Sequence, residues 1–90
     1  MAAPLEDWLF TDHASSEMAR RDIDATSVEA VLANPEERFT VRPGRDVFQS
    51  RIIIDNTQYL MRVFVDVDRS PVEIVTVYLS SKISKYWRSP

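Results

Sequence analysis

Up to about residue 35 the apolar side chains recur every three to four positions, and from residue 36 to residue 79 they alternate with polar ones. The first period is that of an amphipathic helix and the second that of a half-buried strand. "TDHASSEMARRD" opens with Thr11 and Asp12, both suited to a helix start, and carries Ala14, Met18 and Ala19 among polar neighbours, so it predicts a short helix. "TSVEAVLANP" predicts a second: Thr26 and Glu29 stand in capping-box spacing, Val28, Val31 and Leu32 form a stripe, and Asn34-Pro35 is a stop.

Beyond Pro35 four strand-like segments follow, "ERFTVR", "VFQSRIII", "YLMRVFVDVD" and "VEIVTVYLS". They are separated by "PGRD", which holds the only glycine, by "DNTQ" and by "RSP". Each connection is too short for a parallel crossover, which predicts an antiparallel meander. The closing "SSKISKYWRSP" reads as a short helix with Lys82, Lys85 and Tyr86 on one side and Ile83 and Trp87 on another. The expected architecture is α+β: two N-terminal helices on one face of a four-stranded antiparallel sheet, then a short C-terminal helix, in one domain over residues 1–90.

Taking the greasier side of each strand as buried assigns Phe39, Val41, Phe48, Ile52, Ile54, Tyr59, Met61, Val63, Val65, Val75, Val77 and Leu79 to the helix-covered face. The other face then carries Arg38, Thr40, Arg42, Gln49, Arg51, Arg62, Phe64, Ile74, Thr76 and Tyr78. Arginines among aromatic rings suit RNA, the cations holding phosphates and the rings stacking on bases. The same set is also an ordinary solvated sheet face.

Charge sharpens the contrast. Residues 1 to 37 hold nine acids and two bases, about -7, and residues 38 to 90 hold five acids and nine bases, about +4, within a net charge of -3. Only the second part has the sign that attracts phosphate. The 90-residue length suits one domain. The absence of cysteine excludes disulfides and thiolate metal sites, and fits a reducing compartment. "MAAPLEDWLF" has no basic cluster, so no leader peptide is expected, and no apolar run approaches membrane-spanning length. A cytoplasmic protein without a membrane partner is the expectation.

His13 is the only histidine, and at a helix start beside Glu17, Arg20 and Arg21 it is a candidate for proton transfer or for a structural role. No spacing of ligands suggests a metal, no glycine-rich loop a nucleotide, and no serine context a nucleophile elbow, so no cofactor is expected.

Both ends of the chain resemble one family. Phe10, Thr11, His13, Ala14, Met18, Arg21, Ile23, Asn34 and Pro35 match the opening pattern of the small domain family catalogued as domain of unknown function 4258, and "VTVYLSSKISKYW" matches its Thr-x-Tyr, Ser-Lys-Ile and Lys-Tyr-Trp ending. Asp22 stands where that pattern has glycine, and Glu17 where arginine is common. The family resembles RelE-like and BrnT-like toxin ribonucleases. The resemblance implies a RelE/barnase-like fold and the toxin of a type II toxin–antitoxin system, a metal-independent endoribonuclease. Its partners would be RNA, free or on the ribosome, and a cognate antitoxin protein. On that reading His13, Arg62, Tyr78 and Lys82 are catalytic, and Arg21, Arg51, Phe64, Thr76, Lys85 and Tyr86 bind RNA. The alternative is a non-catalytic protein- or RNA-binding module.

Overall fold

The computed structural model describes residues 7–90. The elements run β1 (Trp8–Phe10), α1 (Asp12–Arg20), α2 (Ala25–Ala33), β2 (Glu37–Arg42), β3 (Arg45–Ile54), β4 (Thr57–Asp66), β5 (Val72–Ser80) and α3 (Ile83–Tyr86). One sheet holds all the strands in the order β1-β5-β4-β3-β2.

The expected four-stranded antiparallel sheet under two helices is therefore corrected. β1 adds a fifth strand, parallel to β5 with Trp8 opposite Val72 and Phe10 opposite Ile74, which makes the sheet mixed. Three residues carry too little alternation to announce a strand. β1 exists because an exposed edge of β5 offers it backbone partners, continued by the Thr11 N–H donating to the Ile74 carbonyl at 3.0 Å.

Local chemistry sets the helix ends. The Thr11 hydroxyl accepts from the Ala14 N–H and caps α1. Asp24, rather than the expected Thr26, caps α2, its carboxylate accepting from the Thr26 N–H at 3.1 Å. At the other end of α1, Asp22 adopts φ +55°, its N–H donates to the Ala19 carbonyl, and that of Ile23 to Met18. This is a Schellman closure with its accompanying apolar pair, Met18 and Ile23, both buried.

α1 lies against β5 and β1, and α2 against β4 and β3. Between helices and sheet sits the core of Ala14, Met18, Val28, Val31, Leu32, Phe48, Met61, Val63, Val65, Ile74 and Val77. The hairpins follow the turn chemistry. Asp55 and Asn56, with φ +50° and +65°, make the tight β3–β4 turn, and Gly44, at φ +82°, makes the β2–β3 turn, where a Cβ would meet the Asp68 carboxylate.

Two bulges reverse part of the face assignment. A register shift between Thr40 and Arg42 puts Phe39 opposite Val47 and Arg38 opposite Phe48. Phe39 therefore leaves the helix-covered face and Arg38 and Thr40 join it, because a one-residue slip flips every side chain beyond it. A second shift, between Phe64 and Val65 on β4, leaves Val75 unpaired and puts Ile74 opposite Val65, in the core.

Candidate functional site

The face of the sheet turned away from α1 and α2 carries one continuous polar row. Glu37 on β2 lies opposite Gln49 on β3, Gln49 opposite Arg62 on β4, and Arg62 opposite Tyr78 on β5. The next row has Phe39, Val47, Phe64 and Thr76, and beyond Arg62 on the other side Arg51 pairs with Leu60 and Leu60 with Ser80.

This face is not open. After β5 the chain turns into α3 and crosses back over the sheet as a strap. The Arg62 guanidinium lies 4.3 Å from the Tyr86 ring centre, that of Arg51 4.3 Å from Trp87, and that of Arg88 3.7 Å from Phe39. The Tyr86 carbonyl accepts from Gln49 Nε2 at 3.1 Å, and Glu37 accepts from the Arg88 and Ser89 N–H groups. Arg62, expected on an exposed face, is 7% exposed in consequence.

Arg62 is the centre of the arrangement. Its Nε donates to Gln49 Oε1 at 2.9 Å and its Nη1 to the Tyr78 hydroxyl at 2.6 Å, and the guanidinium faces the rings of Phe64, Tyr78 and Tyr86. No carboxylate lies within ion-pair distance of it among the described residues. A buried cation held only by neutral dipoles and ring faces keeps much of its affinity for an anion. Lys85, exposed on α3, holds its ammonium 5.3 Å from the Tyr86 ring centre. Its hydrogen bond, opposed by burial and helped by its charge, by Tyr78 and by Arg62, holds the Tyr86 hydroxyl below its ordinary 10.0.

Glu37 is the other notable group. Burial pushes its carboxyl up, yet hydrogen bonds from Ser89, Arg88 and Gln49 together outweigh that and hold it below 4.5. The pattern placed Gln49 on this face beside Arg62, but Glu37, and the bonds by which Gln49 links it to Arg62 and to Tyr86, depend on the β2 register and on the strap, which the pattern does not show.

The remaining candidates fall elsewhere. Lys82 opens α3, is exposed, and has no side-chain partner among the described residues. Arg51 is committed to Glu36, bonded through Nη2 at 2.8 Å and Nε at 3.2 Å. His13 and Arg21 project from α1, on the opposite side of the sheet from Arg62. There they surround the buried Glu17 carboxylate, His13 Nε2 at 3.3 Å from Oε1 and Arg21 Nη2 at 3.5 Å from Oε2. A groove of about 420 Å³ between α2 and β3, lined by Val31, Asn34, Glu36, Ser50, Arg51 and Ile52, also lies away from the row.

Among the described residues no group of His, Asp or Glu side chains is placed to hold a metal ion, and no helix is long and apolar enough to cross a membrane. No curated protein and no solved structure matches the chain. The sequence profile of one family matches residues 10–79, a span that includes Arg62 and Tyr78 and takes in most of the sheet, and on that match the chain belongs to the family described as Domain of unknown function (DUF4258).

Proposed function

We propose that the protein is a metal-independent endoribonuclease, the toxin of a toxin–antitoxin pair acting on RNA in the cytoplasm. The observation that carries this reading is Arg62: a buried cation with no carboxylate partner among the described residues, bonded to Tyr78 and covered by Tyr86 beside Lys85. The toxin role and the antitoxin partner come from the sequence resemblance to BrnT-like and RelE-like toxin ribonucleases, not from the fold.

In the proposed reaction the ribose 2′-hydroxyl attacks the adjacent phosphorus and the 5′-oxygen leaves, giving a cyclic phosphate and a free 5′-hydroxyl. Tyr86, whose hydroxyl loses its proton more readily than an ordinary tyrosine, accepts the 2′ proton. Arg62 meets the charge that builds on the phosphoryl oxygens. Lys85 or Lys82, both exposed on α3, supplies the proton to the departing oxygen. Phe64 and Thr76 border the phosphate position, and His13 takes no part.

One observation favours a second reading, a non-catalytic binding module. Arg62 is 7% exposed beneath the strap, so the row would serve to hold the chain end while the outer side of α3 meets a partner. Incubating purified protein with RNA in the presence of a chelator, free and ribosome-bound, separates the two. Cleavage that disappears in Arg62→Ala supports the nuclease, and no cleavage of either RNA by the unaltered protein leaves the binding module.

A further inference from the structure

Gln49 is fully buried and uses both ends of its amide. Oε1 accepts from Arg62 Nε at 2.9 Å, while Nε2 donates to Glu37 Oε1 at 2.6 Å and to the Tyr86 carbonyl at 3.1 Å. Its orientation is dictated on two sides, because an ionised carboxylate and a backbone carbonyl can only accept and must meet the NH₂ end. The oxygen is thereby turned to Arg62. The amide bonds one edge of the guanidinium, at Nε, while Nη1 is directed to Tyr78 on the adjacent strand.

The amide is also a spacer. Glu37 and Arg62 stand two strands apart in one row, with Gln49 between them. A carboxylate at position 49 would pair with Arg62 directly, as Asp66 pairs with Arg45 on the same two strands, where Nε meets Oδ1 at 2.7 Å. A side chain with a donor end for Glu37 and an acceptor end for Arg62 links the two charges without neutralising the guanidinium.

We propose that Gln49 is the positioning residue of the phosphate site: it aims the Arg62 guanidinium and keeps the charge of Glu37 from neutralising it. This rests on the reading of the Arg62 row as a phosphate site given above. The fold alone requires only that the Arg62 Nε–H find an acceptor at position 49, whereas the proposal requires that this acceptor be neutral.

The test compares unaltered protein with Gln49→Glu, Gln49→Met and Arg62→Ala. The probe is a short 2′-O-methyl RNA oligonucleotide of mixed sequence, which presents phosphates but no attacking hydroxyl. Affinity, melting temperature and the exchange protection of the Arg62 Nε–H by NMR are read on the same preparations. Gln49→Glu should weaken binding roughly ten- to a hundredfold while the Nε–H stays protected, since a carboxylate accepts that bond equally well. Gln49→Met should weaken binding and lose the protection. If two neighbouring carboxylates prevent Gln49→Glu from folding, the paired exchange Glu37→Gln with Gln49→Glu restores one amide–carboxylate pair, and the same loss of affinity is expected. Full affinity in either carboxylate variant, or a protected Nε–H in Gln49→Met, overturns the positioning role and leaves the RNA reading standing. No binding by unaltered protein, or equal binding by Arg62→Ala, overturns the RNA reading and this role with it.

Discussion

The Glu37 carboxylate accepts from both the backbone N–H and the hydroxyl of Ser89, at 2.7 and 2.6 Å, across 52 residues of chain. One side chain on the edge strand β2 thus secures the segment that follows α3 over the sheet. Glu37 is itself buried, so the strap and the carboxylate shield each other from water.

Acid should release this strap. The folded-state pKa of Glu37 lies below 4.5, so its contribution to stability is complete above that pH and is lost as pH falls through the lowered folded value. Melting temperature measured from about pH 6 down to about pH 3 should fall, and Glu37→Gln should have a lower plateau and a shallower acid limb. Identical acid limbs in the two proteins would remove Glu37 from this role.

Substitution in the closing helix should separate support from contact. Trp87 is half-buried with Arg51 stacked on it, so Trp87→Ala should cost about 1 to 2 kcal/mol. Lys82 is exposed and its side chain has no partner among the described residues, so Lys82→Ala should change stability by less than about 0.5 kcal/mol and yet reduce RNA cleavage. Thermal melts and cleavage assays on the same samples check both, and full cleavage by Lys82→Ala would exclude that lysine from the reaction.

Asp22 offers a stabilising change. It holds φ +55° at the end of α1, in the left-handed region where a Cβ is unfavourable. Asp22→Gly should raise stability by roughly 0.5 to 1 kcal/mol in denaturant titration, the relief of strain exceeding the added freedom of the unfolded chain. A loss of stability would mean that the aspartate side chain contributes more than its backbone costs.

Tyr86 makes a kinetic prediction. If its hydroxyl is the proton acceptor, cleavage should rise with pH towards its folded pKa, which lies below 10.0 because of Lys85, and Lys85→Ala should move that rise to higher pH. Tyr86→Phe keeps the ring over Arg62 and should melt within about 0.5 kcal/mol of the unaltered protein while losing cleavage. An unchanged pH–rate profile in Tyr86→Phe would exclude this assignment.

Much of the fold was legible in short-range chemistry. Thr11, Asn34-Pro35, Gly44 and the Asp55-Asn56 turn act through their own backbone neighbours, so their meaning survives without the rest of the molecule. The alternation of β3 and β4 is of the same kind: their pairing runs without a shift from Arg45–Asp66 to Ile54–Thr57, and Gln49, Arg62 and Phe64 emerge on the face that the pattern indicates.

What the tertiary structure decided lies beyond the reach of a period. The β2 and β5 bulges each move a register by one residue, which sent Phe39 to the strap side and Ile74 into the core, and a period-two pattern carries no mark of where an unpaired residue is inserted. β1 required a neighbouring edge. The strap required Glu37 and Gln49, whose bonds to Tyr86, Arg88 and Ser89 span 37 to 52 residues. The sequence by itself determined the helix ends, the tight turns and the side chains that β3 and β4 present on each face. Only the tertiary structure determined which of them meet, because a buried cation such as Arg62 takes its surroundings from three strands and from α3, and those are set by packing and hydrogen-bond satisfaction over the whole domain.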